Sequence, residues 1–320
     1  MSDATTRPFV AGNPSSIMEY WKRMAAFDKA SNHSPLREGS TFDLALVEPP
    51  PLDRAGARDA PCFPFSTQAT FVLCRPLQQG DNYYSQVWVA RQISRGSDVE
   101  GAELVLKFII PSQLDLPSEE LTEEHIMWAS YFYPEDIVAY QAAAYNALAK
   151  QQGCTVPYFY GAHKVTAPWG ELVSVLALEY ISAPCLWEIR DALGLNYPDD
   201  DAPHIPAFME YLNYEKYFAL FQSAIETITN AHAVNIRHRD IRDAHILVDL
   251  AHNRVVLIDW TNDAPAHLAK TGLMNDPGLA RIHDVLGICR RFLRCKAHYK
   301  RLLLYIYPTF PMLHNFVPRP

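Results

Sequence analysis

Two aspartates flank a short hairpin pattern. The stretch His238-Arg239-Asp240-Ile241-Arg242-Asp243-Ala244-His245-Ile246-Leu247-Val248-Asp249 is followed by Val255-Val256-Leu257-Ile258-Asp259-Trp260. Residues 245–248 and 255–258 read as two short strands joined by a polar turn, which brings Asp240 and Asp259 near one another. Phosphoryl transfer needs such a pair: one carboxylate orients a hydroxyl nucleophile, and another holds a metal ion on the phosphates. The alternative is that both aspartates cap turns. Arg237, Arg239 and Arg242 crowd the first aspartate; they read equally as a phosphate-attracting group and as a solvated basic loop. His232, His238, His245 and His252 recur at steps of six, seven and seven. They fall on a helix end, a loop and a hairpin, so packing and hydrogen bonding explain them better than a shared metal.

A lysine completes the set. Lys107 lies within Leu104-Val105-Leu106-Lys107-Phe108. A lysine among apolar neighbours needs a charged partner, unless it points to solvent. Its strand is one of five expected in the first half: Thr70–Cys74, Tyr84–Ile93, Glu103–Ile110, Tyr158–Val165 and Leu172–Ile181, each rich in β-branched and aromatic residues. One helix interrupts them. Pro134 suits its first position, Glu135 and Asp136 suit its first turn, and Ile137, Gln141, Ala144 and Leu148 share a face before the stop near Gly153. The second half turns helical, with an apolar face from Phe208 to His232 and a last long helix after Asp276-Pro277-Gly278. A strand-rich part followed by a helical part predicts an α+β chain.

These residues together resemble the catalytic and metal-binding loops of the protein kinase superfamily. His-Arg-Asp matches in full at 238–240. Leu-Ile-Asp-Trp at 257–260 is more similar to the aminoglycoside and choline kinase branch. The pattern Gln151-Gln152-Gly153 before Val156-Pro157-Tyr158-Phe159-Tyr160-Gly161 resembles divergent kinase-like proteins numerous in fungi. The resemblance covers residues 65 to 260. It implies a two-lobed kinase-like fold: an N-terminal extension (1–60), a small lobe with a five-stranded antiparallel sheet (61–181), and a reduced, mainly helical large lobe (182–320).

The resemblance also implies roles. Asp240 orients the acceptor hydroxyl, Lys107 holds the α- and β-phosphates of ATP, and Arg242 steadies the γ-phosphate. Asp259 and His245 hold Mg²⁺. Gly80, Asn82, Ser85 and Val87 form the loop over the phosphates, with glycine kept only at the first of these positions. Leu178 is the gatekeeper, and the carbonyl of Glu179 and the N–H of Ile181 pair with adenine. Three departures accompany these matches. Gln141 stands where a glutamate pairs with the lysine, and it hydrogen-bonds without neutralising; Glu135 and Asp136 are more than a turn away. His245 replaces an asparagine, although Mg²⁺ prefers oxygen ligands. No Ala-Pro-Glu follows Asp259. An ATP-dependent phosphotransferase and a pseudokinase scaffold both fit, and the acceptor, protein or small molecule, stays open.

Composition bounds the rest. The 320 residues are 49% hydrophobic, enough for a sizeable core, which excludes disorder of the whole chain. Acidic residues outnumber basic ones 36 to 28, which argues against a general nucleic-acid binder. No signal peptide, membrane span or zinc-spaced cysteine pair is read, so a cytoplasmic or nuclear protein with reduced thiols is expected.

Overall fold

The computed structural model describes residues 7–50, 56–61, 63–80, 85–93, 101–127, 131–193, 206–261 and 277–313. The chain opens with helix α1 (Pro14–His33) and strand β1 (Thr41–Ala45), followed by β2 (Gln68–Gln78), β3 (Ser85–Gln92) and β4 (Glu103–Ile109). Helices α2 (Glu123–Met127) and α3 (Pro134–Ala147) precede β5 (Phe159–Thr166) and β6 (Leu172–Glu179). The helical half holds α4 (Leu186–Ala192), α5 (Pro206–Met209) and α6 (Tyr214–Ala233), the hairpin β7 (Ile246–Asp249) and β8 (Arg254–Leu257), then α7 (Pro277–Phe292) and α8 (Tyr299–Thr309). The chain is α+β, as its sequence predicts. Among the described residues no helix is long and apolar enough to cross a membrane.

The main sheet is antiparallel and has six strands, in the order β1-β2-β3-β4-β6-β5, not the five expected. The additional strand is β1, which lies within residues 1–60 and pairs Thr41–Ala45 with Val72–Gln68. Phe42 and Leu44 enter the core while Thr41, Asp43 and Ala45 stay outside. Five residues of alternation near a proline-rich tract are a weak signal, and pairing with β2 stabilises what local propensity does not.

Strand β4 divides its side chains between two cores. Leu104, Leu106 and Phe108 join Phe71, Trp88 and Val175 in the core of the sheet. The intervening Val105 packs with Leu176 and Leu178 against the helical core built on Tyr217, Phe221, Ile228 and Trp260. Lys107 belongs to this second row, since it lies opposite Val87 on β3 and Leu176 on β6. Period-two alternation therefore turns the lysine towards the helical half rather than to solvent.

Asn213 starts α6 by accepting the N–H groups of Glu215 and Lys216 on its side-chain oxygen. That cap breaks the single helical face expected from Phe208 to His232. Helix α3 has Pro134 at its first position and ends at Ala147; a 3₁₀ turn at Ala149–Gln151 leads to Gly153. Gly153 has φ +69°, and a β-carbon there would lie 2.3 Å from the Tyr158 ring, so only glycine fits.

Candidate active site

The β7–β8 hairpin fixes the site's floor. Ile246 pairs with Leu257, and the N–H of Ile258 donates to the carbonyl of His245, 3.1 Å away. The ends of the hairpin are thereby closed, with Asp240 and His245 before it and Asp259 after it. Trp260 is fully buried and donates its indole N–H to Leu257 at 2.7 Å, anchoring the chain directly behind Asp259. Asp259 itself has φ +65°, a left-handed conformation that aspartate tolerates better than most residues.

Asp259 is the electrostatic centre. Its Oδ1 accepts from the Lys107 ammonium across the gap between the two cores. The Nε2 of His245 lies 3.7 Å from its Oδ2. Burial alone pushes this carboxyl up, but the charge of Lys107, the proximity of His245 and the Lys107 hydrogen bond outweigh it and hold the group below the usual carboxylate range. The buried phenol of Tyr145 on α3 sits against the backbone N–H groups of Asp259 and Trp260.

Asp240 is half-exposed. Its Oδ2 lies 2.9 Å from Arg242 and 3.6 Å from His245 Nδ1. Arg242 donates to His245 Nε2 at 2.8 Å, which makes that nitrogen an acceptor; Nδ1–H then donates to the carbonyl of Asp240 at 2.9 Å. Asp240, His245 and Asp259 can each offer a ligand atom within 4.8 Å of the others. Two carboxylates and an imidazole fit a divalent cation, and the imidazole favours Mn²⁺ over Mg²⁺.

A carboxylate that sequence reasoning missed holds the loop from below. Asp284 on α7 is 1% exposed. It accepts the backbone N–H groups of His238 and Arg239 at 2.9 and 2.8 Å, and lies 2.9 Å from His232 Nε2. Burial pushes its carboxyl up; the three donors overcome this and leave it below the usual range. They also hold Arg239 in a left-handed conformation, φ +59°. His238 donates Nε2–H to Ile258 at 2.8 Å and packs against Trp260, with ring centroids 4.7 Å apart. Burial and the neighbouring His245 push the pKa of His238 below the usual histidine value. Asp284 stands among apolar residues some 45 positions from its donors, and no local pattern announces it.

Above the floor is a cleft of about 750 Å³, the size of a small-molecule site. Val87, Val105 and Leu178 line it on the sheet side, Leu247 and Ile258 on the hairpin side. Lys107, Asp259, His245 and Arg242 supply charged and polar groups, and Glu179 to Ile181 form an edge. Gly80 ends the described part of the β2–β3 turn with φ +115°, and open space surrounds the position of its missing Cβ. Ser85 is buried at the start of β3, with its hydroxyl against the side-chain amide of Gln78. Asn82 lies outside the described residues.

The partner of Lys107 is therefore Asp259. Gln141 is buried on α3, four residues before Tyr145. Glu135 and Asp136 are engaged elsewhere, by Lys164 and Arg7. Glu179 turns its carboxylate away to Arg58, and β6 is an inner strand between β4 and β5.

No protein-family profile and no curated protein sequence matches the chain. Among solved structures it is similar to the PK-1 kinase of the Cydia pomonella granulovirus, with a TM-score of 0.38 and 15% sequence identity. The match covers 59% of this chain and 52% of the viral one, so it spans about half the length of that kinase. At this distance the likeness assigns no role to any residue.

Proposed function

We propose that the chain is an ATP-dependent phosphotransferase of the two-lobed, protein-kinase-like type, acting on a hydroxyl acceptor. The observation that carries the proposal is the Lys107–Asp259 pair in the cleft, with Asp240 and His245 beside it. Lys107 binds the α- and β-phosphates and Arg242 the γ-phosphate. The carbonyl of Glu179 and the N–H of Ile181 take the base, while Gly80, Asn82, Ser85 and Val87 cover the nucleotide. Asp240 orients the acceptor hydroxyl and accepts its proton. Asp259 and His245 would hold the divalent cation, whose contribution is to neutralise phosphate charge. When Lys107 turns from Asp259 to the phosphates, it leaves a carboxylate short of positive charge. Nucleotide binding is therefore expected to require a divalent cation.

A specific observation also supports a second reading, a nucleotide-binding pseudokinase. Both nitrogens of His245 are already engaged, by Arg242 and by the Asp240 carbonyl. Gln141 moreover offers no charge to hold Lys107 once Asp259 is taken. Calorimetric titration with ATP, alone and with Mg²⁺ or Mn²⁺, followed by a phosphoryl-transfer assay, separates the two. Metal-dependent binding with turnover supports the enzyme, and binding without turnover supports the scaffold. The absence of binding and of any rise in melting temperature at millimolar nucleotide with every metal would overturn both.

A further inference from the structure

Arg58 comes from the polar segment before β2, ahead of every site residue in the chain, yet it is largely buried. Its guanidinium grips Glu179 through two bonds, Nε to Oε1 at 2.7 Å and Nη2 to Oε2 at 2.8 Å. The same group donates to the carbonyls of Cys154 and Val156, just after α3, and Nη1 lies 3.8 Å from Asp249 at the end of β7. The backbone is fastened as well: the N–H of Arg58 donates to Gly153, and its carbonyl accepts from the Tyr158 hydroxyl. One side chain thus ties together the last residue of β6, the turn after α3 and the catalytic hairpin.

Glu179 is the consequential partner, because it also lines the cleft. Its carboxylate holds Arg58 and the N–H of Tyr158, and its own N–H donates to Tyr158 O. With its side chain committed to Arg58 and Tyr158 and its N–H to the carbonyl of Tyr158, the backbone at Glu179 is set in position. A bidentate guanidinium–carboxylate pair is directional and strong, so it transmits position as well as attraction.

We propose that Arg58 is a positioning residue for base recognition: through Glu179 it holds the strand end that meets the base of a bound nucleotide. This inference rests on the nucleotide reading above. It makes a segment that looks peripheral in sequence part of the binding apparatus, without any contact between Arg58 and ligand.

The test compares ATP with inorganic tripolyphosphate, which has the phosphates but no base, both with Mn²⁺. Arg58→Ala leaves Glu179 buried and unpaired and risks misfolding. The double variant Arg58→Met, Glu179→Gln avoids this, because it removes both charges together and keeps an amide oxygen for the Tyr158 N–H. In that variant ATP affinity is expected to fall about tenfold, or about 1.4 kcal/mol, with tripolyphosphate affinity unchanged. Arg58→Lys is expected to rescue only part of the loss, since an ammonium lacks the planar fork. Equal weakening of both ligands, or no change in either with the melting temperature retained, would overturn the positioning role while leaving nucleotide binding intact. Wild type that binds neither ligand would overturn the nucleotide reading, and the role of Arg58 with it.

Discussion

Asp284 and Asp259 are both carboxylates with depressed pKa values, but they are satisfied by opposite means. Asp284 is 1% exposed and accepts two backbone N–H groups and an imidazole. Asp259 has a side chain 34% exposed and pairs with the end of a flexible lysine. Backbone donors cannot leave without unfolding the loop, whereas a lysine can swing to another anion. The first arrangement therefore suits a fixed support, and the second suits a site where a ligand competes for the same charges.

The largest effect that tests this contrast is on stability. Asp284→Ala removes the acceptor of two buried loop N–H groups and the carboxylate beside His232, and is expected to cost about 3–5 kcal/mol, read by denaturant unfolding. Asp259→Asn is expected to cost less than half of that while abolishing the metal dependence of ATP binding. If Asp259→Asn proves the more destabilising of the two, the division between support and exchangeable pair is wrong.

Lys107→Ala comes next. Loss of a charge-assisted contact is expected to weaken ATP by about 1.5–3 kcal/mol, measured by calorimetry. Unchanged affinity would place the phosphates elsewhere.

His245→Asn sharpens the contrast from the other side. Replacing the imidazole by an amide oxygen is expected to shift metal preference from Mn²⁺ towards Mg²⁺ and to raise any Mg²⁺-dependent turnover about tenfold, worth about 1.4 kcal/mol in the barrier. Asp240→Asn in the same background should abolish that gain. Brisk wild-type turnover with Mg²⁺, unaltered by the change, would make His245 a bystander.

The smallest effect is on acid sensitivity. The folded pKa of His238 is depressed, so the unfolded chain takes up that proton first. Its contribution is full above about pH 6.5 and declines as pH falls below that value. Asp249, Asp259 and Asp284 are also depressed, so their contribution is full above about pH 4 and declines below it. Unfolding midpoints against pH should therefore decline in two stages. His238→Gln should shrink the upper stage, and His163, which burial also pushes down, carries what remains; an upper stage of unchanged size would assign it to other groups.

What the sequence makes legible follows from how local the cause is. The strand of Lys107 shows in its alternation, and the hairpin between Asp240 and Asp259 shows in two apolar runs around a polar turn. The supports are set by distant partners. Asp284 meets donors from the His238 loop, and Arg58 meets Glu179 across 121 positions, so neither leaves a pattern in its own neighbourhood. The partner of Lys107 illustrates the same limit: a helix position is readable as inward, as Gln141 is, without showing which anion the ammonium reaches.

The strict division of β4 between two cores has a consequence for how such a chain tolerates insertions and deletions. A single codon gained or lost within residues 103–106 would swap the two rows. The ammonium would then face Phe71 and Trp88, and Leu106 after a gain, or Phe108 after a loss, would face Asp259. A change of two codons would keep the parity and shift the lysine along the strand by about 7 Å. The turns on either side can vary in length by any amount that still closes, but this strand reads in steps of two.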